Sequence, residues 1–431
     1  MSFRGGSFVT QNKLLPGVYV NLTQQSRASS AISDRGVAAM GVELDWGPEE
    51  AVFYVTESEF RADSGRLFGY SYGDGKLKGL RELFRHAAGC WLYRLNGGVK
   101  AQNGLCTARY AGERGNDLQI YVAKQEEKYV VSTHLAGQEV DAQLVAGAGE
   151  LQDNDFVCWK PEAELSEGYL ALSGGSSNKA DTAAYQAMLA ALEGCDFNTL
   201  GCIAMEQAVQ ELFVGYTREQ REDNGRKFQT VLYRCGADYE GIISAGNRAT
   251  EADWPESSFV YWLTGAEAGC AMNGTLTNQV YDGELALEPV VGQKNLQAAL
   301  EQGRLILHRL GEELRILEDV NSLTSWRDSA ALEDRRFNQT VRVLDQIVLD
   351  LGSLFYQRYL GVVPNDTAGR ISLWNDVVTY LRRLEGLRAI ESFNPDQVEV
   401  LPGENKKAVV IGAYLTVVNA MAQMYLSITF A

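Results

Sequence analysis

TLGCIAMEQAVQELFVGYTREQREDNGRKFQTVLYRCGADYEGIIS, residues 199–244, decides the fold. The apolar run Thr199 to Met205 reads as a buried strand. A long helix follows through Phe213 and Arg221, then strands at Phe228 to Tyr233 and Gly241 to Ser244. Working outward, Tyr185, Met188, Leu189 and Leu192 carry helical spacing on the upstream side, and Phe259 to Ala271 reads as a helix downstream. Strands alternating with helices predict an α/β domain. The same grammar occupies residues 31–103: a buried strand at Gly36 to Val42, a helix marked by Leu77, Leu80, Leu83, Phe84 and Ala87, and a strand at Cys90 to Leu95.

Between these two stretches the pattern changes. Short alternating runs (118–122, 129–133, 156–159 and 169–172) are separated by Gly, Asn and Asp turns and closed by a Gly-Gly-Ser-Ser-Asn linker at 174–178. They predict an all-β sandwich inserted into the α/β domain and adding nothing to its core. The expected map is therefore an arm at 1–30, α/β at 31–103 and 176–290, the β insert at 104–175, an α+β C-terminal domain at 291–420, and a second arm at 421–431. In the C-terminal domain, Val341, Leu344, Ile347, Val348, Leu351 and Phe355 form one helical stripe, and Trp374, Val377, Leu381, Leu384 and Leu387 another. Ala408 to Ala431 holds 24 residues without a charge. Its alternation, with Tyr425, Ser427 and Thr429 against Leu426, Ile428 and Phe430, favours two strands broken near Asn419 over a membrane anchor.

With 431 residues, 45% apolar and 22% charged, the chain can bury several cores. Its charge, 39 − 56 = −17, repels phosphate backbones and argues against direct nucleic-acid binding. Seven cysteines without a C-x-x-C pair read as reduced core thiols of a cytoplasmically folded chain. The opening MSFRGGSFVTQNKLLPG has no apolar h-region, so no signal peptide is expected.

Catalytic motifs are sought and rejected. Gly69-Tyr70-Ser71-Tyr72-Gly73 is formally G-x-S-x-G, but Gly and Asp surround it where a nucleophile elbow needs a strand before Ser71. None of His86, His134 and His308 sits in a context that marks a base. Asp153-Asn154-Asp155 lacks the Gly and distal Glu of a Ca²⁺ loop, and Gly174 to Lys179 lacks the second Gly of a P-loop. No enzyme activity, metal or cofactor is expected. The basic pairs Arg335-Arg336 and Arg382-Arg383 stand out in an acidic chain as solvated faces or as contacts for an acidic partner protein.

Several separated segments resemble the contractile tail sheath proteins of bacteriophages and phage-tail-like particles, in the prophage and bacteriocin branch of Gram-positive bacteria. They include Leu15-Pro16-Gly17-Val18-Tyr19-Val20, Trp46-Gly47-Pro48 after the strand 36–42, and Leu67-Phe68-Gly69-Tyr70 with Leu80 to Phe84 and Tyr93 to Gly98. Phe259 to Met272, Arg336 to Ile347, Tyr359 to Asp366 and Val417 to Tyr425 continue the match in order, with Ala422-Gln423 departing from the family's usual acidic-basic pair.

The resemblance implies a structural subunit that polymerises helically around an inner tail tube and contracts to drive it through a cell envelope. Baseplate and tail terminator proteins are further implied partners, with no membrane insertion, and assembly would take place in the bacterial host cytoplasm. It implies that Val18, Tyr19, Val20 and Leu22 in the first arm, and Tyr425, Leu426, Ile428 and Phe430 in the second, add strands to neighbouring subunits. Arg335, Arg336, Arg382 and Arg383 become candidates to face the tube. The competing expectations are an α/β hydrolase built on Ser71 and a binding protein anchored through residues 408–431.

Overall fold

The computed structural model describes residues 35–328 and 330–429. The fold is mixed α/β and divides into two compact units. One holds Arg85–Ala87 and Asp196–Ala431 with the segment ending at Ala38; the other holds Ala39–Phe84 and Ala88–Cys195.

In the second unit, β1 (Val37–Val42) and β2 (Val52–Thr56) are followed by α1 (Glu57–Phe68), α2 (Lys78–Phe84) and β3 (Gly89–Arg94). β2 runs antiparallel to β3, Val52 opposite Tyr93 and Thr56 opposite Gly89. Thr56 caps α1 with a reciprocal Glu59 capping box, and Gly69, at φ 75°, ends it in the left-handed conformation glycine favours. The β region follows as β4 (Leu118–Gln125), β5 (Lys128–Leu135), β6 (Gln138–Val145) and β7 (Gly168–Ala171), in the antiparallel order β7-β4-β5-β6. A ribbon of Cys106–Ala108 paired with Val157–Trp159 lies over the same core. Asp153 and Asn154 carboxyl and amide oxygens accept the backbone N–H groups of Trp159, Phe156 and Val157, so this acidic loop is a turn-capping device.

One expectation needs correction here. The insert does not stand apart from the residues before it: Trp46, fully buried, sits in the β core, edge-on to Tyr110 at 5.3 Å and stacked with Phe156 at 6.1 Å. Helix α3 (Thr182–Ala191), capped by Asp181, closes the unit.

The first unit is built on β8 (Thr199–Cys202), α4 (Gln207–Arg218), β9 (Gln229–Tyr233), β10 (Ile242–Ala245), α5 (Phe259–Gly269), α6 (Gln293–Glu301) and β11 (Arg304–Leu305). β8, β9, β10 and β11 pair in parallel in that order. All residues of β8, β9 and β10 are buried, as expected of parallel strands covered on both faces. Gly201 lets α5 approach β8 so closely that a Cβ there would collide with Thr264. The sheet continues to Leu305, past residue 290 where the sequence pattern places a boundary.

The rest of this unit is α7 (Asn338–Leu354), α8 (Thr367–Gly386), β12 (Ile390–Glu391), β13 (Val398–Pro402), β14 (Val409–Ala413) and β15 (Thr416–Val417). Asp366 caps α8 by accepting the Gly369 N–H. Leu381, Leu384 and Val377 of α8 pack with Ile347, Leu351 and Leu354 of α7 in one core. Each such side chain contributes about 1.5–3 kcal/mol when fully buried. β13 and β14 form an antiparallel hairpin, and Trp374 ties α8 to it by donating its indole N–H to the Val398 carbonyl. Among the described residues no helix is long and apolar enough to cross a membrane, and the uncharged stretch from Ala408 forms strands rather than a helix as far as Val417.

Candidate functional site

Helix α7 is buried on its polar side as well as its apolar one. Asn338, Arg342, Asp345 and Asp350 are all within 4% of full burial. Arg342 donates to Glu267 of α5, to Asp319 Oδ2 at 2.7 Å and to the Gly274 carbonyl at 2.9 Å. Asn338 donates to Asp319 at 2.8 Å and Glu267 at 3.1 Å, while its own oxygen accepts from Gln229 of β9 at 2.9 Å. Three residues after Arg342, Asp345 takes both Nη groups of Arg221, at 2.6 and 2.9 Å.

Burial, with Asp319 beside it, pushes Glu267 well above the carboxylate range. Burial also works against the Asp319 charge, but Arg342 and the Leu276 N–H offset it and hold Asp319 below its ordinary value. Burial first, then Arg221, lowers the Lys227 ammonium to about 8. An arrangement of this kind fixes α7 against the α/β sheet, because each charge would be left uncompensated if its partner moved.

The chain following β14 leaves from this same helix. β15 pairs antiparallel with β12, Val417 opposite Ile390, and the Val418 N–H reaches the Ala389 carbonyl at 3.0 Å. Next, Thr340 Oγ1 donates to Asn419 Oδ1 at 3.1 Å, and the Ala420 N–H donates to Gln339 Oε1 at 3.0 Å. Beyond Ala420 the described residues adopt no strand or helix and are all exposed. Tyr425 is 90% exposed, Leu426 71% and Ile428 76%. Exposed runs of large apolar side chains are a common mark of interaction surfaces.

Two family models match the chain: the phage tail sheath protein central domain over residues 178–322, and the phage tail sheath C-terminal domain over residues 332–431. The crystal structure of the sheath tail protein from Desulfitobacterium hafniense shares 30% identity, covers 94% of this chain and 97% of its own, and superposes with a TM-score of 0.83. This chain belongs to the phage tail sheath family. The XkdK protein of the phage-like element PBSX of Bacillus subtilis is 26% identical, over 98% of this chain and 99% of its own length. The helical sheath of the anti-feeding prophage in its contracted state shares the fold, with a TM-score of 0.54 at 13% identity, covering 97% of this chain and 99% of its own. The chain is thus a subunit of a phage-tail-like sheath, a component of a multi-subunit tail particle, in a family of structural proteins.

The sheath residues singled out from sequence distribute unevenly. Val18, Tyr19, Val20, Leu22 and Phe430 lie outside the described residues. Tyr425, Leu426 and Ile428 lie together on the exposed tail, where the strand expected from their alternation is not formed among the described residues. Arg335 and Arg336 are engaged internally. Arg335 pairs with Glu240 at 2.6 Å, and Arg336 pairs with Glu318 at 2.8 Å while lying over the rings of Trp326 and Phe337. Arg382 and Arg383 are exposed on α8.

Ser71 is exposed in a turn between α1 and α2, without the preceding strand that a nucleophile elbow requires. His86 is engaged with Asp282 at 3.1 Å and His134 with Ser132 at 2.9 Å. The buried polar face of α7 was not anticipated. Its signal is Glu267, a single carboxylate in the otherwise apolar helix FVYWLTGAEAG, which demands a cation somewhere in the fold.

Proposed function

We propose that this sheath subunit polymerises helically around an inner tail tube by strand donation, and that the polymer contracts to drive the tube through a cell envelope. The observation that carries this reading is the tail 421–429: alternating, uncharged, exposed and, among the described residues, without a backbone partner beyond Ala420. Donating Tyr425, Leu426, Ile428 and Phe430 to a neighbour's sheet edge would satisfy the backbone and bury the apolar side chains in one step. Val18, Tyr19, Val20 and Leu22 would act likewise from the other arm. Such a head-to-tail contact does not close on itself and so propagates an open helix. Covalent continuity of the arms would hold the lattice together while the subunit bodies slide during contraction.

Arg382 and Arg383, both exposed on α8, are the candidates we favour for the tube face, with Arg335 and Arg336 drawn to internal acids. Baseplate and terminator proteins would cap the two ends of the polymer, assembled in the cytoplasm of the host. A photoreactive amino acid at Ile428 tests the core of this reading. Adducts joining two subunits are expected in the polymer, and adducts confined to single subunits would contradict it.

A further inference from the structure

Gln339 holds the tail at its root. Its side chain is 6% exposed, and both ends of its amide are used. Nε2 donates to the Asn273 carbonyl at 2.8 Å, in the loop that follows α5, and Oε1 accepts the Ala420 N–H at 3.0 Å. Thr340, next on α7 and also buried, donates to Asn419. Two successive side chains at the start of α7 therefore grip two successive residues of the tail, and Ala420 is the last tail residue whose backbone is bonded to the body.

The helix carrying these side chains is itself immobilised. Asn338 and Arg342, on either side, are tied into the Glu267–Asp319 cluster, and Arg342 also holds the loop carbonyl of Gly274, next to the Asn273 that Gln339 grips.

We propose that Gln339, seconded by Thr340, is the positioning residue of the sheath arm: it fixes the direction in which residues 421–429 leave the subunit, so that the arm is presented to its neighbour pre-oriented. The inference rests on the strand-donation reading. Nine extended residues reach about 30 Å at most. If the root swivels, the tip samples a large volume and its effective concentration at one sheet edge falls; if the root is fixed, most of that volume is excluded. A merely structural role, satisfying the Asn273 carbonyl through Nε2, would leave exchange at Ala420 unchanged when the Oε1 acceptor is lost.

The test uses the full-length chain with Gln339→Met, Gln339→Glu and Asn419→Ala, beside a chain lacking residues 421–431. Amide exchange at Ala420 is followed by mass spectrometry in unassembled subunits, and the critical concentration for polymerisation by sedimentation. Gln339→Met should speed exchange and raise the critical concentration about tenfold, a change of about 1.4 kcal/mol in the free energy of assembly. Gln339→Glu retains the acceptor for the Ala420 N–H and should keep the slow exchange.

Wild-type exchange in Gln339→Met, or a wild-type critical concentration in it while the truncated chain stays unassembled, would overturn the positioning role alone. Normal polymers from the truncated chain would overturn strand donation and the positioning role with it. Should Gln339→Met fail to fold, Asn419→Ala loosens the same root from the tail side. It should raise both readouts several-fold, and unchanged values in this variant would equally overturn the proposal.

Discussion

Helix α7 and the tail that leaves its first turn are inverted copies of the usual rule. In α7 the charged groups are inside, with Arg342 and Asp345 almost wholly buried; in the tail the apolar groups are outside, with Leu426 and Ile428 largely exposed. The difference lies in where the partners are. The polar groups on the buried face of α7 find their partners within the same chain: Arg342 meets Glu267 and Asp319, Asp345 meets Arg221, and Asp350 accepts from Tyr380 and Gln346. The tail's side chains, by contrast, stay largely exposed among the described residues. Local chemistry that looks wrong in a single subunit is thus resolved inside the molecule in the first case and, on the strand-donation proposal, by another subunit in the second.

The comparison is most directly attacked at Arg342. Replacing it with Met removes the cation that Asp319 and Glu267 share, leaves the buried Asp319 carboxylate uncompensated, and should destabilise the subunit by about 3–5 kcal/mol in chemical denaturation. A loss under 1 kcal/mol would mean that the buried face is not held by these pairs.

A smaller effect should appear at Lys227, whose Nζ donates to the Arg221 carbonyl beside the same network. Its folded value of about 8 lies below the ordinary 10.5, so between these pH values the unfolded chain binds the extra proton. The penalty is present in full below pH 8 and is relieved as pH rises, so stability increases through this window by up to about 3 kcal/mol. Lys227→Met removes that slope, and the difference between wild type and variant, measured by urea denaturation at pH 7.5 and 10, should change by this amount. Parallel pH profiles would count against a desolvated Lys227.

The smallest effect on the subunit is expected in the tail. Leu426→Asp with Ile428→Asp should shift the melting free energy by less than about 0.5 kcal/mol, as substitutions at exposed positions do, while abolishing polymerisation. A large loss of subunit stability would show these side chains packing at home.

How much of this was legible in the sequence follows the range of the interactions. β8, β9 and β10 are local features, and composition and spacing reveal them; the caps Thr56, Asp181 and Asp366 are equally local but were not read from the sequence. The amphipathic stripe of α7 was visible through Val341, Ile347 and Leu351. Its other face, however, was indistinguishable from a solvated one, because Arg342 and Asp345 find partners 75 and 124 residues away in the chain. Trp46 was quoted as part of a turn, yet its role is to fill the core of the β region, against Tyr110 and Phe156. The tail's alternation was readable, and so was its lack of charge. The Gln339 and Thr340 grip on its root was not, since nothing in a pattern of apolar spacing marks a glutamine that bonds at both ends.

The central claim is that the tail is finished by another subunit, and sedimentation of a chain lacking Tyr425–Ala431 beside the full-length chain tests it most directly. The account predicts rapidly sedimenting tubes or rings from the full-length protein, visible by negative-stain microscopy. From the truncated one it predicts folded, slowly sedimenting subunits with an unchanged melting temperature. Normal polymers from the truncated chain, or a truncated chain that unfolds, would contradict it.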